Sequence, residues 1–231
     1  MDEEKFYCSM YSRNAELYHH GVKGQKWGVE NGPPYPLGSD KLAHKIFNRA
    51  KQEEPKISSD LNRIAKSMDI KMYGLNNRLK TKESLNRKIK TDSLEKGVSE
   101  FRAASKITDA VRYTFISNNQ KFVSDYFSIK SKLSELGYKE VKCKNYFELY
   151  KEGKAKHKQV TSVFENKNGY KFEIQFQTPE SQKVKDLKTP IYEERRKVNV
   201  SKERAKELEL EMDKLAEKVP YPNQIGKIKT Y

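Results

Sequence analysis

The stretch Val160-Thr-Ser-Val-Phe-Glu-Asn-Lys-Asn-Gly-Tyr-Lys-Phe-Glu-Ile-Gln-Phe-Gln177 decides how the rest of the chain is read. Val160 to Glu165 and Tyr170 to Gln177 are rich in β-branched and aromatic residues, the composition of strands. Between them Asn166-Lys-Asn-Gly169 ends in Asn-Gly, a strong hairpin signal. Side chains of a strand alternate between its two faces, so Glu173, Gln175 and Gln177 share one face.

Working outward, Tyr138 to Lys144 and Ile107 to Ile116 also read as strands. The intervening Phe122 to Gly137 has helical spacing, with Phe127, Ile129, Leu133 and Leu136 available for burial and Gly137 as a stop. Upstream, Leu42, Ala43, Ile46, Phe47 and Ala50 form the apolar stripe of a helix that starts at Ser39 and ends before Pro55. A second helix starts near Ser58 or Ser59 with Leu61, Ile64, Ala65 and Met68 on one face. A third starts near Glu83 with Leu85 and Ile89 inward. Downstream, Glu193 to Lys218 predicts a charged helix interrupted near Val198, with Leu208, Met212 and Leu215 along one side. This order describes an α/β or α+β fold, a mixed sheet of four to five strands packed by helices, with helical N- and C-terminal extensions.

The 231 residues allow one sizeable core with appendages. Hydrophobic residues make up 35 % and charged residues 34 %, so that core is modest. Gly32-Pro-Pro-Tyr-Pro-Leu-Gly38 cannot continue a helix and reads as a linker. The expected divisions are 1–38, a segment with its linker; 39–76, a helical extension; 77–197, the main domain; and 198–231, a charged helix and tail. The net charge of +15 favours polyphosphates, RNA or anionic surfaces as partners. Between Arg78 and Lys90, six basic residues meet Glu83 as the one acid.

Cys8 and Cys143 lie far apart and outside any metal-ligand spacing, which excludes a disulfide framework and a zinc finger. His19 and His20 are adjacent and lack a third ligand. No apolar run approaches the roughly 20 residues that span a bilayer, and Met1-Asp-Glu-Glu opens acidic where a secretory signal opens basic. A cytoplasmic protein without a membrane partner is expected.

Arg78-Leu-Lys-Thr-Lys-Glu-Ser-Leu-Asn-Arg-Lys88 resembles the opening of the RelA/SpoT synthetase domain, Arg-x-Lys-Ser/Thr-x-x-Ser-Ile-x-x-Lys. The resemblance continues through Ile107 to Ile116, similar to Asp-x-x-Ala/Gly-x-Arg-x-Ile, and through Lys144-Asn-Tyr146, similar to Lys-Asp-Tyr. It closes on Phe172-Glu-Ile-Gln-Phe-Gln-Thr178, similar to Glu-Val/Ile-Gln-Ile-Arg-Thr. It spans about a hundred residues, with the motifs in the right order. It implies a nucleotidyl pyrophosphokinase that moves a pyrophosphate group from ATP to the 3′-hydroxyl of a nucleotide or of the tRNA 3′ end. Magnesium is the implied cofactor.

The resemblance implies roles residue by residue. Arg78, Lys80, Lys88 and Arg112 would contact the ATP donor. Glu173 falls on the catalytic, magnesium-binding glutamate. The family's magnesium aspartate stands five residues before the arginine, where this chain has Ile107; Asp109, three before Arg112, becomes the second metal ligand, moved by about 7 Å along a strand but kept on one face. The acceptor loop Tyr-x-Ser-Ile/Leu-His-Thr-Thr-Val corresponds to His157 to Phe164, so His157 replaces the stacking Tyr and Thr161 the His. Lys158 and Gln175 join His157 as acceptor-binding residues. Gln177 replaces an Arg. Besides His157, the histidines are His19, His20 and His44, none in an arrangement suited to the family's hydrolase. Small stand-alone members of the family include alarmone synthetases and toxins that modify tRNA 3′ ends.

Tyr18-His-His-Gly-Val-Lys-Gly-Gln-Lys-Trp-Gly-Val29 resembles a phrase recurrent in tailed-phage virion and head-morphogenesis proteins. It implies a phage origin and a virion protein as partner through residues 18–29. An inactive virion-associated or adaptor protein that keeps the fold to bind nucleotide, nucleic acid or protein is the competing reading, and plain RNA binding a third.

Overall fold

The computed structural model describes residues 38–195 and 200–231, and these form one compact unit. The 18–29 segment and Val198 lie outside the described residues. In chain order the elements are α1 (Ser39–Met68), β1 (Lys71–Tyr73), α2 (Lys82–Lys96), α3 (Glu100–Ser105), β2 (Arg112–Ile116), α4 (Phe122–Glu135), β3 (Lys139–Asn145), α5 (Tyr146–Lys151), β4 (Val160–Glu165), β5 (Lys171–Gln177), α6 (Pro179–Arg195) and α7 (Lys202–Glu217). Five strands form one mixed sheet in the order β1-β2-β5-β4-β3. The β2–β5 pair is parallel and the other pairs are antiparallel. The expected fold class is the observed one.

The β4–β5 hairpin forms as its turn residues dictate. Gly169 takes a φ of 71°, and the Asn166 side-chain oxygen accepts from the backbone N–H groups of Asn168 and Tyr170, both at 2.9 Å. One face of the sheet is apolar. Tyr113 and Phe115 on β2 and Phe172, Ile174 and Phe176 on β5 are buried there, with Tyr126 of α4 edge-on to Phe176. The opposite face carries Arg112, Thr114, Glu173, Gln175 and Gln177 by strand alternation.

Four sequence expectations are corrected. First, α1 runs unbroken through Pro55. A proline inside a helix costs about 3 kcal/mol. Burial of Ile57, Leu61 and Ile64 beyond it recovers roughly 1.5–3 kcal/mol each. The stripe on either side of Pro55 is continuous, so packing outweighs the missing N–H. Second, β2 begins at Arg112, and residues 107–110 precede it as irregular chain. Third, the helix ahead of the expected interruption, α6, starts at Pro179 where Glu193 was expected, and continues through Pro190. Phe127 is also exposed, with Tyr126 taking the buried position.

Helix α1 is tied to the sheet by buried carboxylates. Asp60 accepts from Tyr138 Oη at 2.8 Å, and Glu54 accepts from Arg78 Nε at 2.5 Å, from Tyr113 Oη at 3.4 Å and from Ser58 Oγ. At the far edge, residues 219–231 cover β3. Cys143 and Tyr231 exchange backbone hydrogen bonds at 3.0 and 2.9 Å, which occupies an edge that would otherwise stay open.

Candidate active site

The site is assembled on the polar face where β2 and β5 run parallel. Arg112 is the register partner of Glu173, whose N–H donates to Val111 O at 3.0 Å. Residues 78–80 run antiparallel beside 110–112, with Arg112 N–H bonded to Arg78 O at 2.7 Å and Lys80 N–H to Ala110 O at 2.9 Å. That docking brings Lys80 Nζ to 3.1 Å from Asp109 Oδ2. Asp109 therefore reaches the site from the chain before β2, where its sequence position had placed it within a strand.

Glu173 feels its surroundings strongly. Desolvation raises its pKa most, the nearby Asp109 raises it further, and Arg112, Gln175 and Lys80 oppose the rise. Two carboxylates are thus held within electrostatic reach of each other. Asp109 Oδ1 is buried with no hydrogen-bond partner. A carboxylate oxygen without a partner, within electrostatic reach of a second carboxylate, is a donor set that suits magnesium, which takes one or two carboxylates and completes its shell with water and phosphate oxygens. Among the described residues no group of three or more His, Cys, Asp or Glu that could hold a metal stands together, so this pair would be the contribution of those residues.

A chain of hydrogen bonds leaves Glu173 along the sheet. Gln175 Nε2 donates to Glu173 Oε1 at 2.7 Å, and Lys185 Nζ of α6 donates to Gln175 Oε1 at 2.5 Å. The Lys185 pKa is lowered to about 8, by burial first and then by the repulsion of Arg112. At the start of α5 and on the chain before β4, Tyr146 and His157 place their ring centroids 4.2 Å apart, tilted by 40°. The His157 ring keeps solvent access, yet its pKa falls to about 4, through desolvation first and then Lys188, Lys185 and Lys144. This imidazole is neutral at physiological pH and presents a flat surface.

The structure brings together Glu173, Asp109, Lys80, Arg112 and Gln175, with His157 linked to them through Lys185. It does not bring in Arg78, Lys88 or the ammonium of Lys158. Arg78 is held by Glu54 and by Leu75 O at 2.8 Å, next to Tyr113, whose side chain belongs to the apolar face. Lys88 lies on α2, 3.8 Å from Asp92, because Leu85 and Ile89 turn that helix's other side inward. Lys158 is buried, and its ammonium donates to Val219 O at 2.7 Å and lies 4.4 Å from the Tyr221 ring centroid. It anchors the closing segment. Lys158→Ala is expected to lower stability by about 1–3 kcal/mol, through the lost charge-assisted bond and cation–π contact, as read by denaturant unfolding.

Lys185 and Lys188 were not legible as site residues because α6 was not. Its signal was present: Thr178 Oγ1 accepts from Ser181 N–H at 3.1 Å and Pro179 occupies the first helical position, an ordinary helix start. A helix that folds back over β5 advances about 9 Å in the six residues from Pro179 to Lys185. Gln175 lies about 7–10 Å back along the strand, so the two meet.

No protein-family model and no curated protein matches the chain. Solved structures do. The small alarmone synthetase 1 of Bacillus subtilis bound to its product pppGpp is 14 % identical, with 81 % of this chain and 96 % of that chain covered at a TM-score of 0.55. The small alarmone synthetase 2 of Bacillus subtilis is 20 % identical, with 75 % and 91 % covered at a TM-score of 0.51. A GTP pyrophosphokinase family protein of Streptococcus pneumoniae is 15 % identical, with 84 % and 94 % covered, also at 0.51. The chain has the fold of the small alarmone synthetases, the fold expected from its motifs.

Proposed function

We propose that the protein is a magnesium-dependent pyrophosphokinase that transfers the β,γ-diphosphate of ATP to the 3′-hydroxyl of a nucleotide or of the tRNA 3′ end. The observation that carries this reading is the pairing of Glu173 with Asp109, whose buried oxygen has no protein partner, beside three cations on the same face. In the reaction the acceptor oxygen attacks the β-phosphorus, the bond to the α-phosphate oxygen breaks, and AMP and a proton are released. Such a transfer asks the protein for positioning and charge neutralisation more than for covalent chemistry.

Lys80, Arg112 and Lys185 supply fixed positive charge for the diphosphate. Glu173 and Asp109 would hold magnesium, which when bound neutralises phosphate oxygens of the donor. Gln175 orients Glu173, and the His157–Tyr146 pair offers the acceptor base a stacking surface. Arg78 and Lys88 remain donor candidates by resemblance, at the positions described above. Among the described residues no helix is long and apolar enough to cross a membrane.

Incubation with γ-labelled ATP and magnesium, with GDP, GTP and bulk tRNA offered in turn, tests this reading. Label is expected in one acceptor with stoichiometric release of AMP. ATP binding with no label in any acceptor would favour the binding-module reading instead.

A further inference from the structure

The contact that α6 makes behind Glu173 bears on how that carboxylate is held, an inference that rests on the pyrophosphokinase reading. Helix α6 is fastened across the polar face at three points. At its start Ser181 N–H donates to Thr178 Oγ1 at 3.1 Å. Further along, Asp186 accepts from Tyr73 Oη of β1 at 2.8 Å and from Gln182 Nε2 at 2.7 Å, and just beyond it Lys188 Nζ donates to Lys156 O at 2.8 Å. Lys185 lies among these ties, and its ammonium reaches Gln175 Oε1.

Gln175 stands between two groups of opposite kind. An ammonium only donates, and an ionised carboxylate only accepts. An amide has one end for each, so Lys185 at the oxygen turns the nitrogen toward Glu173, where Gln175 Nε2 donates to Oε1 at 2.7 Å. The strand neighbours of Gln175 leave that choice open: Thr114 of β2 and Thr161 of β4 are its register partners, and a hydroxyl both donates and accepts. The choice matters because desolvation and Asp109 both work against a charge on Glu173, while the bond from Gln175 favours it. A flipped amide would set its oxygen against the carboxylate and remove that support.

We infer that Lys185 is a positioning residue for the transfer: it fixes the amide of Gln175, and Gln175 so fixed holds the Glu173 carboxylate in its working orientation. This role adds to the positive charge that Lys185 lends the diphosphate, and the two are separable. Charge acts with or without Gln175, whereas positioning acts only through it.

Two measurements on the full chain test this. Lys185 stays partly exposed, so methionine is accommodated there. In nitrogen–proton NMR spectra the Gln175 side-chain amide is identified by its absence from Gln175→Leu. It is expected as one sharp pair of signals in the parent and in Lys185→Arg, whose guanidinium also only donates, and as a shifted, broadened pair in Lys185→Met. In the label-transfer assay Lys185→Met is expected to lower kcat about ten- to a hundredfold, the scale for a group that orients a metal-binding carboxylate. That loss is expected to shrink at least about fivefold when Gln175 is already leucine, because two residues that act through one path do not add. A Gln175 signal unchanged in Lys185→Met would overturn the proposal, whatever becomes of the transferase reading. So would an equal loss in both backgrounds, which marks an ammonium that acts on phosphate alone. Absence of transfer by the parent chain would overturn the pyrophosphokinase reading and the proposal with it.

Discussion

Glu173→Gln is expected to reduce pyrophosphate transfer by about a hundred- to a thousandfold, the scale on which a transition-state charge contact is felt when one group is removed. The substitution keeps the shape of the side chain, and its amide oxygen can still accept from Gln175. What disappears is the negative charge that faces Asp109. That charge is held at a cost, because burial and Asp109 both raise the Glu173 pKa. A carboxyl whose folded pKa lies above its unfolded value stabilises the fold while protonated and loses that contribution as pH rises through the folded pKa. Glutamine mimics the protonated form at every pH. The variant should therefore unfold at an equal or higher temperature than the parent, with the difference largest above the folded pKa. Loss of transfer with no loss of stability marks a residue kept for chemistry. Parent-like transfer by this variant would remove Glu173 from the machinery.

Asn145→Asp is expected to destabilise the protein by about 3–5 kcal/mol at neutral pH, the range for an uncompensated buried charge. Asn145 is fully buried, and its two ends have opposite duties. The amide nitrogen donates to Ile225 O and Ile228 O, both at 2.9 Å, while the oxygen caps α5 by accepting from Phe147 N–H at 3.1 Å and Glu148 N–H at 3.3 Å. Aspartate could keep the cap but would set a carboxylate against two carbonyl oxygens. The motif that Lys144-Asn-Tyr146 resembles has Asp at this place, and here the carbonyls of Ile225 and Ile228 take a donor. Protonation of the new carboxyl restores one, so its folded pKa is raised and the deficit should shrink as pH falls toward 4. Chemical denaturation at pH 7 and pH 4 measures both effects. A deficit under 1 kcal/mol at pH 7 would mean that the closing segment is not anchored through Asn145.

The sheet and its polar face were legible because strand chemistry is local. Alternation in Phe172 to Gln177, the Asn166–Gly169 turn and the β-branched run ending at Ile116 each act over a few residues, and the structure keeps the first two whole and the third from Arg112 on. Failures came where distant packing overrode local preference. Pro55 sits inside a helix whose packing outweighs a missing hydrogen bond. The partners of Arg78 and Lys158 were equally illegible: Glu54 accepts from the first, and the carbonyls of Glu217 and Val219 from the second.

The sequence by itself determined a mixed sheet, a hairpin carrying Glu173 and Gln175 on one face, and a basic chain suited to polyphosphates, since period, turn type and charge are properties of the residues alone. Tertiary structure decided which cations meet that face. Lys80 arrives because residues 78–80 dock beside 110–112, and Lys185 because α6 folds back over β5. Both encounters depend on where segments far apart in sequence cross, and no local pattern encodes a crossing.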